Sequence, residues 1–255
     1  MVCGECGKSD PTLEDGHACP ECAAAAPPPF VPGWGAARSP NGLAQAVLLL
    51  LGAVILTDVA SIVTGVLEYR FAGDLLDGSA WSARVEAEGE RLDDWYGQAG
   101  DLQVYTFAVT AILFLVWFFR VRRNAEVFEP HGHTLARPWV VFGFVVPIAN
   151  LWYPRRVAAD VWDASAREDR TSHALLNWWW AGWLVASNLG FLADSWSEGA
   201  KELSDVQDAT AAVVFTDALD IVAAVLAMRF VRALTRLQNR KVLMPPAGPA
   251  GAPFA

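Results

Sequence analysis

The chain has 255 residues, 54% of them hydrophobic and only 18% charged, with 12 tryptophans and a formal net charge of −9. A soluble globular domain carries about 25% charged residues, so an ordinary water-soluble fold is set aside in favour of an integral membrane protein. The excess of acid argues against nucleic acid as a partner, although the acids and bases lie in different segments.

All four cysteines fall at the start, as Cys3-Gly-Glu-Cys6 and Cys19-Pro-Glu-Cys22. Two CxxC knuckles at this spacing offer four thiolates to one tetrahedral ion, and four sulfurs suit structural Zn²⁺. Iron in a rubredoxin-like site and a pair of disulfides are the alternatives. His17 is a bystander, because four sulfurs complete the shell. So small a unit buries almost no core, and metal binding would supply its folding energy. Residues 1–22 resemble the small zinc ribbons at the ends of many bacterial membrane proteins. Such a ribbon implies a binding module for a cytoplasmic protein partner, not a catalyst. Residues 23–42, AAAAPPPFVPGWGAARSPNG, read as a flexible tether. No secretory signal is expected, since the first apolar run begins only at Leu43.

Four apolar runs follow, at 43–67, 102–119, 175–193 and 209–228. Each is near the roughly 20 residues that a spanning helix needs. Asp58 is the only charge in the first, Gln103 interrupts the second, and the fourth carries Asp217 and Asp220. A fifth apolar stretch, 139–154 (WVVFGFVVPIANLWYP), is shorter and holds Pro147 and Asn150.

The loops assign the sides of the membrane. Acids dominate 68–101 and 193–208, whereas arginines crowd 120–137, 155–170 and 229–241. Positive charge marks the cytoplasmic face. A full crossing by 139–154 would force one arginine-rich flank outward, so a re-entrant or interfacial segment fits better, with five spans as the alternative. The expected fold is therefore all-α, with four transmembrane helices plus this segment in a membrane domain at 43–241. Both termini would be cytoplasmic, the bilayer would be the plasma membrane, and 242–255 would form a disordered tail. After Pro154, Val157, Val161 and Trp162 share one helical face. That pattern suits a helix on the inner membrane surface or a connector packed on the bundle.

Pro138-Trp139, Pro147-Ile148-Ala149-Asn150-Leu151-Trp152 with Pro154, and Val161-Trp162-Asp163-Ala164-Ser165 together resemble the signature of a bacterial membrane family. It is catalogued as domain-of-unknown-function family 4328. The resemblance spans 43–240 and implies a multi-pass membrane architecture, often with an N-terminal zinc ribbon, and no assigned activity. Tyr153 departs from the arginine expected there, with Arg155 and Arg156 close by.

Ionisable groups inside a span are costly and usually face a partner or water. Asp58, Asp217 and Asp220 fall at similar depth, and Asp217 and Asp220 share a helix face. With Asn150 they form a possible intramembrane polar site, acting either as interhelical hydrogen-bond glue or as a proton or cation site. His131-Gly-His133 is a weak constellation for a metal. No phosphate-cradling loop, nucleophile elbow or HExxH motif is present, so no enzymatic activity is expected. Two readings of function remain. One is a non-catalytic scaffold or sensor recruiting a partner through its ribbon, and the other a small transporter or cation-conducting protein using the aspartates.

The purified protein should carry one zinc per chain on Cys3, Cys6, Cys19 and Cys22, measured by elemental analysis under reducing conditions. Less than half an equivalent, or a disulfide among these cysteines, would count against the ribbon.

Overall fold

The computed structural model describes residues 37–78, 82–166 and 172–243. The cysteine knuckles, most of the tether and the tail from 244 lie outside the described residues. Every regular element among those described is helical.

Helix α1, Asn41–Leu76, runs into a turn at Gly78, whose φ of 94° suits glycine, and helix α2 spans Ala83–Phe128. The side chain of Ser82 accepts a hydrogen bond from the Val85 amide and so starts α2. Much of the expected acidic loop at 68–101 is therefore helix. The reason is local, because 83–101 is rich in alanine, glutamate and arginine, which favour helix when exposed. The second acidic loop shrinks in the same way, since α5, Ala174–Gly199, runs almost to the start of α6, Leu203–Val242. At 1.5 Å per residue α2 extends about 70 Å, over twice the roughly 30 Å of a bilayer's hydrocarbon core.

Helices α1, α2 and α6 are long and apolar enough to cross a membrane, and the chain is a membrane protein on that ground. The fourth expected span falls in α5. That helix has the length, but Asn177, Asn188 and its tryptophans dilute its apolar character. Among the described residues, three helices thus combine length with apolarity.

The stretch 139–154 does not form one helix. Helix α3, Trp139–Val145, stops because Val146 precedes Pro147 and takes an extended conformation, with ψ of 116°. A 3₁₀ turn at Ala149–Leu151 follows, and then α4, Tyr153–Ser165. The chain doubles back here: a Cβ on Gly143 would lie 3.4 Å from that of Tyr153, and the rings of Trp139 and Tyr153 are 4.6 Å apart. A single helical crossing by this stretch is excluded by its own geometry.

The long helices lie side by side in the order α2, α1, α6, α5, and α4 packs against α2, α5 and α6. Val157, Val161 and Trp162 are buried in the core, so α4 is a packed connector. Around Phe230 of α6 the core is aromatic. Trp179 stacks on it at 4.2 Å, Trp162 stacks at 6.0 Å, and Trp117 meets it edge-on.

A buried polar tie closes the arginine-rich end of the bundle. Asn124 Nδ2 donates to the Arg38 carbonyl (2.8 Å) and to Gln238 Oε1 (2.9 Å), and Asn124 Oδ1 accepts from the Arg38 amide. Gln238 Nε2 donates to the Val121 carbonyl and to Ser165 Oγ. This links the segment before α1 to α2, α4 and α6 with side-chain amide groups that are all used.

Asn124→Ala leaves Gln238 Oε1 buried without its donor and should cost about 2–4 kcal/mol. Asn239→Ala, which loses only an exposed bond to Asn41, should change stability by less than about 0.5 kcal/mol. Thermal unfolding of the two variants in one detergent checks the contrast, and equal midpoints would refute it.

Candidate functional site: an intramembrane carboxyl pair

The three helices able to cross a membrane bring one acidic pair together. Asp58 lies midway along α1 and Asp217 on the facing side of α6, and they are only 3% and 6% exposed. Gln103 of α2 stands between them. Its Nε2 donates to Asp58 Oδ1 and to Asp217 Oδ1, both at 3.0 Å. Ser61, one turn beyond Asp58 and almost fully buried, donates its hydroxyl to the Asp217 carboxyl. Each carboxyl keeps a second oxygen, Oδ2, that is buried and has no hydrogen-bond partner. An orphaned buried oxygen is expensive, and two of them in one place mark a site with unused capacity to bind.

Asp220, one turn after Asp217, is half-buried and within electrostatic range of both carboxyls and of Asp194 on α5. Among the described residues no ion pair offsets Asp58, Asp217 or Asp220. Asn150 does not join this group. It sits on the 3₁₀ turn, which packs with α3 and α4, and its own Oδ1 is buried without a partner.

A second polar place lies at the arginine-rich end, a pocket of about 380 Å³ lined by Arg122, Glu126, His133 and Arg137, among others. Glu126 accepts from Arg122 Nε at 3.2 Å and pairs with Arg137 through its other oxygen. Arg122 Nη2 donates to the Leu135 carbonyl. Burial, and then the charge of Arg122, hold the His133 pKa below the usual histidine value, so its imidazole is neutral at pH 7. His131 is exposed. Among the described residues no group of three His, Cys, Asp or Glu lies together as metal ligands. The four cysteines fall outside that range.

Gln103 was visible in the sequence as the polar interruption of an apolar run. Its bridging role was not, because it depends on residues 45 and 114 positions away.

The sequence model of a domain of unknown function, DUF4328, matches residues 83–236. The chain belongs to the DUF4328 family. The match begins at α2, so α1 and Asp58 precede the matched region, which is shorter than the 43–240 expected from the signature residues. No curated protein and no solved structure matches the chain. In this DUF4328 protein the carboxyl pair is thus built from one helix outside the matched region and two inside it.

Gln103→Leu removes the donor shared by two buried carboxyls and should cost about 3 kcal/mol or more, given 1.5–3 kcal/mol per hydrogen bond to a charged group. A thermal midpoint in detergent unchanged from wild type would show that the bridge does not hold the helices.

Proposed function

We propose that this protein is a small-cation-binding membrane protein, proton included, whose site is the Asp58–Gln103–Asp217 cluster. The observation that carries this reading is the pair of orphaned Oδ2 atoms. Interhelical glue would be expected to use its oxygens, as Asn124 and Gln238 use their amide groups. Here two acidic groups share the Gln103 amide, Ser61 adds a hydroxyl to Asp217, and each still keeps its Oδ2 free, with no basic residue among the described residues paired to them. Asp220 and Asp194 add negative potential nearby, which favours a cation further.

The topology that accompanies this reading has four spanning helices, α5 included, with the α3–α4 hairpin inserted from the cytoplasmic side. Both termini face the cytoplasm, and the acidic turns face outward across the plasma membrane. The arginine distribution supports it, and the reversal at Val146–Trp152 suits a segment that enters and returns. Backbone that is not helical is tolerated at membrane depth when buried in protein.

A scaffold or sensor role is the second reading, and the paired CxxC knuckles favour it. A zinc-bound ribbon on a proline-rich tether would present a compact surface to a cytoplasmic partner. The two readings are compatible, since cation occupancy in the bundle could be what such a sensor reports.

A ligand at a hundredfold excess over its Kd stabilises the folded state by about 2.7 kcal/mol, a shift of several degrees for a chain of this size. Wild-type protein in detergent should therefore show a thermal midpoint that depends on pH or on lithium, sodium or potassium. Asp58→Asn/Asp217→Asn should lose that dependence while remaining folded. Parallel curves for the two proteins would reduce the cluster to structural glue.

A further inference from the structure

We infer that the pocket at the arginine-rich end, lined by Arg122, Glu126, His133 and Arg137, binds a phosphate group that still carries a proton. Such a group is hydrogen phosphate or a singly protonated phosphate monoester. None of these residues belongs to the carboxyl pair, so the two sites stand or fall separately.

The walls of the pocket are tied in place by the protein itself. Arg122 and Glu126 are one turn apart on α2, and the rest of the lining belongs to the connection from α2 to α3. Arg122 Nη2 donates to the Leu135 carbonyl at 2.8 Å, and Arg137 Nε donates to Glu126 Oε2 at 2.5 Å. The Thr134 amide and hydroxyl both donate to Asp160 Oδ2 of α4, at 2.8 and 2.9 Å. The connection is thus held against two helices. The space beside it, about 380 Å³, is the size of a small-molecule site, and one water fills only about 30 Å³.

Unused hydrogen-bonding capacity here begins with a cation. Arg122 is only 2% exposed, and its guanidinium stays charged at neutral pH. Its Nε serves Glu126 Oε1 and its Nη2 serves Leu135, but Nη1 is buried without a partner. An idle nitrogen on a buried guanidinium is costly, and the planar fork suits the oxygens of a phosphate. Arg137, whose side chain is more than half exposed, adds a second guanidinium at the mouth. Within the lining these two cations face one carboxylate, Glu126, both of whose oxygens are used. Asp160 stands outside the lining, tied to Thr134. The surplus positive charge calls for an anion.

His133 narrows the choice of anion. Both its ring nitrogens are buried without a full hydrogen bond, and one of them lies against the Ala125 carbonyl. A carbonyl only accepts, so that nitrogen carries the single proton of the neutral ring. The other nitrogen is bare and can only accept. Burial and the Arg122 charge keep the ring neutral, against the weaker pull of Glu126 and Asp160, and Arg137 acts in the same sense as Arg122. The ligand must therefore bring oxygens for Arg122 and a hydrogen for His133. Sulfate has no hydrogen to offer at neutral pH, whereas hydrogen phosphate has its P–OH. The negative charges of Glu126 and Asp160 help to keep that proton on the bound group.

The test is equilibrium dialysis of radiolabelled inorganic phosphate against the full-length protein in detergent, at pH 7 and fixed ionic strength. One phosphate per chain should bind, and sulfate in excess should not displace it. Arg122→Gln and His133→Leu should each weaken binding at least tenfold, the worth of one hydrogen bond to a charged group. His133→Gln, which keeps one donor and one acceptor, should retain binding. His133 lies on the connection and not in a helix, so its variants decide the matter if Arg122→Gln does not fold. The source of the phosphate is read in nanodiscs. Phosphatidylcholine alone should leave phosphate binding intact. Loss of that binding when phosphatidic acid is added assigns the site to a lipid-borne monoester, and undiminished binding assigns it to free phosphate. No saturable phosphate binding by the wild-type protein would overturn the site. Equal competition by sulfate, or unchanged binding in His133→Leu, would overturn the selection of a protonated phosphate.

Discussion

Phe230 holds the bundle together at the level where most of its elements meet. The four long helices lie in a row, so α2 and α5 at its two ends have little direct contact, and something must bridge them. Trp179 of α5 lies parallel to the Phe230 ring, 4.2 Å away with an interplanar angle of 2°, and Trp117 of α2 meets the ring edge-on. Trp162 of α4 covers it at 6.0 Å. Offset and edge-on aromatic pairs add about 0.5–1.5 kcal/mol each beyond the area they bury. In a bilayer that extra term matters more, because lipid tails are as apolar as the side chains and packing must supply the specificity.

The break at Pro147 makes this arrangement possible. A proline in the middle of a helix removes a hydrogen bond and clashes with the preceding turn, and here the chain uses the break to reverse. The reversal delivers α4 into the gap between α2 and α5. There Trp180 Nε1 donates to the Leu151 carbonyl and fixes the turn to α5.

Above and below this aromatic level two polar clusters behave in opposite ways. At the arginine-rich end, the side-chain amide groups of Asn124 and Gln238 all find partners, and the result is a rigid joint among four segments. At the level of Asp58 and Asp217, the polar groups are equally buried but only half satisfied. A membrane helix seldom carries an acidic group without a use for it, and leaving two oxygens free is costly at a site selected only for stability. The same bundle thus contains a finished polar joint and an unfinished one, and the unfinished one lies on the three helices able to cross a membrane.

The sequence by itself determined the membrane character and the helical class, because apolar runs of about 20 residues have few other fates. It also carried the family signature around Pro147–Trp152 and the candidate acids Asp58, Asp217 and Asp220. It misplaced the helix ends: charge along 68–101 looked like a loop, yet helix propensity is indifferent to whether a segment leaves the membrane. Tertiary structure alone decided that Gln103 joins two aspartates while Asn150 stands elsewhere, and that Val157, Val161 and Trp162 face protein. Those outcomes depend on which helix faces lie against one another. The stripe on each helix is local and can be counted along the chain, but the pairing of stripes is set by packing among residues up to 198 positions apart.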